Sequence, residues 1–319
     1  MSGVWRSVLV VVVAWCSALG CLAHERGARG PTVISAWGHR FYFPASAPAA
    51  KRIPLVVYLH GCQQVTWHSL RTTRLEEWAE QRGFAVLMPE QSRLRNPWKC
   101  WNWFLGDDAY EMNEIVALVK DYQARFPLLK TRTYVMGLSA GGVMTAHLLA
   151  CRSDVFEAGA VVGGAPYGVA LPPDTLLGEL APARERMTRR ALRCLEQGRA
   201  RRPVSVLVIH GTWDVISLPH QGPQTAKQFA GANHLLEHGE AGWRSAITPV
   251  EVVERDGDDG GLGYTVTRYP PVEGARVELV QVHGMGHGWS GGPWWLPFSD
   301  HRGPDATALA LEFFGLAVK

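Results

Sequence analysis

Two apolar runs frame the chain. PLVVYLH (residues 54–60) and VSVLVIHG (204–211) are rich in β-branched residues and show no alternation with polar ones. Such runs read as strands buried on both faces, the kind found in parallel sheets. FAVLMPE (84–90), RTYVM (132–136) and AGAVVGG (158–164) have the same character. Between them the period changes to that of helices. LRTTRLEEWAEQRG (70–83) predicts a helix closed by Gly83, and a stretch from about Asp108 to Phe126 carries apolar residues at i, i+3 and i+4. A further helix is expected after Ser139. TVISAW (32–37) and FYF (41–43) read as edge strands, and YTVTRY (264–269) with VELVQVHG (277–284) as a late hairpin feeding the last sheet strand. GPDATALALEFFGL (303–316) reads as a closing helix capped near Asp305. Strands alternating with helices imply a mostly parallel sheet covered on both sides, an α/β fold. Residues 170–203 interrupt the order as a lid-like excursion above the sheet. No linker divides the chain, so residues 24–319 read as one catalytic domain.

The first residues change the setting. MSGVWRSVLVVVVAWCSALGCLAHERG has one Arg before an apolar core and small residues after it. Residues 1–23 therefore read as a secretory signal peptide, too short to last as a membrane span. An uncleaved anchor, or a lipid on Cys21, are the alternatives. Cleavage leaves Cys62, Cys100, Cys151 and Cys194, an even set that reads as two disulfides in an oxidising, secreted or periplasmic setting. With no C-x-x-C pair, a zinc site is not expected. The net charge of +3 in 319 residues argues against nucleic acid or an anionic membrane as partner. Oligomeric state is left open.

Candidate chemistry gathers at YVMGLSAGGVMT (134–145). GLSAG (Gly137–Gly141) fits G-x-S-x-G, with a strand before it and a helix after, the turn that displays a serine nucleophile. A nucleophilic serine needs a base, and the base needs an orienting acid, in the chain order Ser, Asp, His for α/β-hydrolases. Asp214 lies just past the VSVLVIHG strand, and His287 in a Gly-rich loop after VELVQVHG. His283 is the rival base but sits nearer its strand, where packing or hydrogen bonding suits it better. Two N–H donors are needed for the oxyanion. The Ala140 amide follows the nucleophile, and the Cys62 amide follows Gly61 in LHGCQQ.

The segments PLVVYLHGCQQ, FAVLMPEQ, NPWKCWNWF, GLSAGGVMTAHLLA, FEAGAVVGGAPYGVA, IHGTWDVISLP, GMGHGWSGG and FSDHRGPDATALALEFF resemble, in order, the polyhydroxybutyrate depolymerase-like esterases. The resemblance runs over roughly residues 32–316. It implies a secreted serine hydrolase of the α/β-hydrolase fold, neighbour to feruloyl and acetylxylan esterases. It also implies Ser139, Asp214 and His287 as triad, Cys62 and Ala140 as oxyanion donors, an ester as substrate, and no cofactor or metal. GDDAYEMNEI (106–115) departs from the family, which has a more basic, Gly-rich stretch there, and residues 172–202 are unusually Arg-rich. A feruloyl or acetylxylan esterase remains the alternative, and an inactive hydrolase-fold binding protein a remote one.

Trp98, Trp101, Trp103, Trp289, Trp294 and Trp295 fall in loops above the sheet. Of these, Trp101, Trp103 and Trp289 are expected to line the substrate cleft. The expected bridges are Cys62–Cys100, tying a donor loop to a Trp-bearing wall, and Cys151–Cys194. HLLEH (234–238) formally fits a metallopeptidase pattern but lacks a third ligand and reads as a short helix between glycines. RDGDDGG (255–261) reads as a hairpin turn, and RERMTRRALRCLEQGRARR (184–202) as a solvated lid helix. The sequence closes at Lys319, soon after the last helix, so weak action on crystalline polyester is expected.

Overall fold

The alternating pattern closes into one ten-stranded sheet in the order β1-β2-β4-β3-β5-β6-β7-β10-β9-β8. The computed structural model describes residues 30–35, 38–48, 51–105, 110–169, 181–198 and 200–316. The expected signal peptide (1–23), with Cys16 and Cys21, and the first part of the excursion (170–180) lie outside these residues. The strands are β1 Gly30–Ile34, β2 Arg40–Phe43, β3 Ile53–Leu59, β4 Ala85–Met88, β5 Leu128–Leu138, β6 Ala158–Val162, β7 Ser205–Gly211, β8 Glu251–Arg255, β9 Tyr264–Arg268 and β10 Val277–Val282. The central strands β4, β3, β5, β6, β7 and β10 run parallel. Antiparallel pairs, β1 with β2 and β8 with β9, close the two edges. This is the α/β-hydrolase architecture that the resemblance implied.

The unbroken apolar runs have a direct cause. Along β3, Leu55, Val57 and Leu59 point to one face and Val56 and Tyr58 to the other, and all are buried. The first face is covered by α3 (Tyr110–Arg125), α4 (Ala140–Cys151), α5 (Ala181–Gln197) and α6 (Gln221–His238). The second is covered by α2 (Leu75–Arg82) and α8 (Ala306–Phe313), and the one-turn α7 (Trp243–Ala246) follows α6 in the chain. Asp305 caps α8 as expected, its Oδ1 accepting from the Thr307 and Ala308 amides at 2.9 and 3.1 Å.

Two helices differ from expectation. The single helix expected over residues 70–83 is two, α1 (Thr66–Thr73) and α2, broken at Arg74 with φ 53°. The break is held from outside: the Arg74 guanidinium pairs with Asp305, and the Thr73 carbonyl accepts from Thr307 Oγ1 at 2.9 Å. The short helix expected around HLLEH is the end of the 18-residue α6, which passes through Gly231 without stopping. A Cβ at 231 would lie 3.0 Å from Thr188 Cγ2 of α5, so this glycine permits helix packing and ends nothing. Within HLLEH, His234 Nε2 bonds the Ala241 carbonyl at 2.7 Å. The basic α5 buries Met187, Ala191, Cys194 and Leu195 at helical spacing and turns Arg189 outward to Glu185 and Glu240.

Candidate active site

Because the central strands are parallel, the loops leaving β3, β5, β7 and β10 emerge at one edge of the sheet. Ser139 stands between β5 and α4 with φ 57° and ψ −121°, a strained conformation for a residue with a Cβ. Such backbone costs on the order of 1–3 kcal/mol and persists only where its surroundings enforce it. Here the Ser139 amide donates to the Val162 carbonyl at 2.9 Å, and its carbonyl accepts from Val143 at 2.9 Å. The flanking glycines permit the crowding. A Cβ at Gly141 would fall 2.0 Å from the Leu59 carbonyl oxygen, and one at Gly137 would fall 2.5 Å from the Gly141 carbonyl. The turn is therefore the sharp elbow that the motif predicts.

Asp214 is buried in the loop after β7. Its Oδ1 accepts from the Ile216 and Ser217 amides at 2.9 and 2.8 Å, and its Oδ2 faces His287 Nδ1 at 2.7 Å. The carboxylate thereby fixes the ring with its proton on Nδ1 and leaves Nε2 as the basic nitrogen. The two loops touch through backbone: Trp213 N–H donates to the Met285 carbonyl at 2.9 Å, and a Cβ on Gly211 would lie 2.2 Å from that same oxygen. Ser139 and His287 flank the Val162–Gly163 turn, where a Cβ on Gly163 would be 3.5 Å from the His287 ring and 3.6 Å from Asp214 Oδ2. His283, the rival base, is half exposed and bonds Thr265 Oγ1 of β9 at 2.7 Å, away from this group.

The loop after β3 completes the arrangement. A Cβ on Gly61 would lie 3.3 Å from that of Ser139, so Cys62 follows directly beside the elbow. Among the described residues, neither the Cys62 nor the Ala140 N–H donates to another protein group. The loop is braced on several sides. Gly61 N–H donates to Gln64 Oε1 at 2.8 Å, Gln63 N–H to the Trp98 carbonyl at 2.7 Å, and Trp101 Nε1 to the His60 carbonyl at 2.9 Å. His60 is wholly buried. Its Nε2 accepts from the Gln91 amide at 3.0 Å while its Nδ1 meets the Gly61 carbonyl at 2.8 Å, and burial pushes its pKa down, keeping the ring neutral. Disulfides join Cys62 to Cys100 and Cys151 to Cys194.

Residues 37–253 match the family model described as Esterase PHB depolymerase, which is more than half of the sequence. The chain belongs to that family. Among its relatives, the poly(3-hydroxyalkanoate) depolymerase C of Paucimonas lemoignei is 29% identical over 264 residues, covering 77% of this chain and 57% of that protein. Feruloyl esterase B of Neurospora crassa is 32% identical over 148 residues, covering 42% and 48%. The chain thus spans about half the length of these curated relatives. An acetyl xylan esterase structure from Aspergillus awamori shares the fold with a TM-score of 0.65 at 18% identity, covering 90% of this chain and 99% of its own.

In this member of the family two of the three expected cleft tryptophans are placed elsewhere. Trp289 is fully buried on the α2/α8 face, edge-on to Tyr58 and bonded through Nε1 to Thr307 Oγ1 at 3.2 Å. Trp101 is buried under the Cys62 loop, as described. Both indoles are buried, Trp101 bracing the Cys62 loop and Trp289 the α2/α8 layer. Trp103 alone is half-buried, packed beside Val143, Ala165 and Val169 at the start of α4. The exposed apolar side chains here are others: Trp213, Val215 and Ile216 on the Asp214 loop at 73%, 83% and 64% exposure, and Trp294 at 75% beyond His287. Phe298 stands edge-on to His287 with ring centres 6.2 Å apart. Glu111, in the stretch that departs from the family, is buried and holds Gln91 and Asn102 behind the Cys62 loop. A cavity of about 460 Å³ lined by Asn113, Lys120, Cys151 and Arg152 opens at the far end of α4 and does not belong to this site.

Proposed function

We propose that the protein is an exported carboxylic ester hydrolase that cleaves short-chain hydroxyalkanoate esters and oligomers through an acyl-enzyme on Ser139. The observation that carries this reading is the 2.7 Å contact of His287 Nδ1 with the buried Asp214, beside a serine held in a strained elbow. Ser139 Oγ attacks the ester carbonyl and passes its proton to His287 Nε2. The Cys62 and Ala140 amides hold the oxyanion, His287 returns the proton to the departing alkoxide, and the alcohol leaves. Water, deprotonated by the same nitrogen, then attacks the acyl-enzyme, and the acid leaves as Ser139 regains its proton. The preference for polyester is supported by the uncharged rim: residues 291–298 (GGPWWLPF) carry no charge, and on the Asp214 loop only the buried Asp214 does. Export is supported by the two disulfides, which persist in an oxidising compartment. Among the described residues no helix is long and apolar enough to cross a membrane.

The test is hydrolysis of p-nitrophenyl butyrate and hydroxybutyrate oligomers by the protein and its Ser139→Ala variant. Removal of the nucleophile is expected to lower kcat by about 10³ or more with folding intact. Retained turnover in a clean Ser139→Ala preparation refutes the nucleophile. Faster turnover of feruloyl esters or acetylated xylan, assayed beside these substrates, shifts the assignment to the cell-wall esterases, the second reading, which the feruloyl esterase relative favours.

A further inference from the structure

We propose that His210 is a positioning residue for the acid of the triad, holding the Asp214 loop in place through its Nε2–H. The inference rests on the triad reading above and concerns a side chain to which that reading gives no part.

His210 is the penultimate residue of β7, wholly buried, four positions before Asp214. Its Nε2 lies 2.7 Å from the Ser217 carbonyl oxygen and 3.6 Å from Asp214 Oδ2. A carbonyl can only accept, so the ring must carry its hydrogen on Nε2 and present that positive edge to both oxygens. Ser217 in turn donates its own N–H to Asp214 Oδ1 at 2.8 Å. A short circuit results: His210 holds the Ser217 carbonyl, the Ser217 amide holds the carboxylate, and the carboxylate holds His287. The Ser217 hydroxyl adds a bond to the Gly164 carbonyl at 2.8 Å, next to the Gly163 turn under the catalytic ring.

The opposite side of the imidazole is built to keep it in this state. Nδ1 is buried and meets no hydrogen-bond partner among the described residues. It faces the first turn of α6, where a Cβ on Gly222 would stand 3.2 Å from Nδ1 and 2.7 Å from the His210 Cβ. Glycine at 222 is thus what lets the helix close over the ring. The N-terminal end of a helix favours a lone pair and disfavours a second proton. Burial works in the same direction, pushing the His210 pKa down. A neutral donor of fixed tautomer, aimed at the loop bearing the acid, is more than core packing requires.

The test compares His210→Phe, which removes the donor, with His210→Gln, whose amide nitrogen reaches about the Nε2 position. Both are assayed for kcat, KM and Tm on p-nitrophenyl butyrate. His210→Phe is expected to lower kcat about tenfold, the upper end of what one buried hydrogen bond to a neutral carbonyl contributes, with KM nearly unchanged. His210→Gln is expected to recover most of that kcat even if its Tm is no higher. In an Asp214→Asn background His210→Phe is expected to cost nothing further, because both act through one carboxylate. If His210→Phe does not fold, His210→Asn, whose amide reaches only the Nδ1 position, serves as the arm without the donor. Losses that multiply in the double variant, or a kcat that follows Tm in both single variants, overturn the proposal. If Asp214→Asn alone leaves kcat intact, the triad reading falls and takes this one with it. If Asp214→Asn abolishes turnover while His210→Phe leaves kcat unchanged, only the His210 proposal falls.

Discussion

Removing each disulfide in turn separates stability from catalysis within one molecule. Cys62–Cys100 and Cys151–Cys194 span 38 and 43 residues of sequence. Closing loops of that size removes comparable freedom from the unfolded chain, about 4 kcal/mol for either in the chain-entropy account. Their positions differ. Cys62 supplies a proposed oxyanion donor, whereas Cys151 ends α4, about 18 Å of helix from the elbow. Complete loss of an oxyanion donor costs about 10²–10³ in kcat. The Cys62 loop keeps its bonds from Gln63 to Trp98, Gly61 to Gln64 and Trp101 to His60, so displacement of the amide is partial. A fall of about tenfold is therefore expected for Cys62→Ser/Cys100→Ser, within that ceiling. Cys151→Ser/Cys194→Ser is expected to lose similar stability and keep kcat within about twofold of the parent. Urea unfolding gives the first quantity, and initial rates on p-nitrophenyl butyrate, taken where both variants are folded, give the second. Equal kcat losses in the two variants, or an unchanged kcat without Cys62–Cys100, refute the reasoning that this bridge places the donor.

His287→Ala is expected to lower kcat as severely as Ser139→Ala, while His283→Ala, which loses exposed contacts to Thr265 and Glu254, changes kcat little and stability by less than about 1 kcal/mol; the reverse phenotype would name His283 as the base. Trp289→Phe is expected to lower stability by about 1–3 kcal/mol, through a lost Thr307 bond and an unfilled core volume, with KM unchanged; a raised KM at unchanged Tm would return Trp289 to the cleft. Trp294→Ser/Trp295→Ser is expected to spare soluble esters and slow acid release from a polyhydroxybutyrate suspension; equal rates on the suspension would show that the rim takes no part.

Much of the fold was legible because the sheet is central and parallel. A strand covered on both faces needs apolar residues at every position, and β3, β4, β6 and β7 were visible for that reason alone. The break at Arg74 was not, since no glycine or proline marks it: the left-handed turn is held by Asp305 and Thr307, more than 200 residues away in sequence. Local pattern carries no trace of such a contact. The 18-residue α6 was cut short for the opposite reason. Gly231 looks like a boundary when read locally, whereas the side chains of α5 require a small residue there.

The site shows the same division between local and distant causes. The proposed triad of Ser139, Asp214 and His287 was legible because each residue follows the end of a parallel strand. Trp289 could not be told from a cleft residue by its position two places after His287. It pairs with Ser299 in a two-stranded ribbon that turns its ring toward Tyr58 and α8. The His-Gly dipeptide makes the point most sharply, since it closes β7 as His210-Gly211 and directly follows β3 and β10 as His60-Gly61 and His283-Gly284. Where the strand is central, helices and loops close over the ring. His60 then braces the Cys62 loop and His210 faces the Asp214 loop, each with burial pushing its pKa down. At β10, the last parallel strand before the antiparallel edge, the ring is left half exposed and His283 reaches sideways to Thr265. One dipeptide therefore yields two internal braces and one surface contact. What separates them is strand order, which is a property of the assembled sheet and of no single segment.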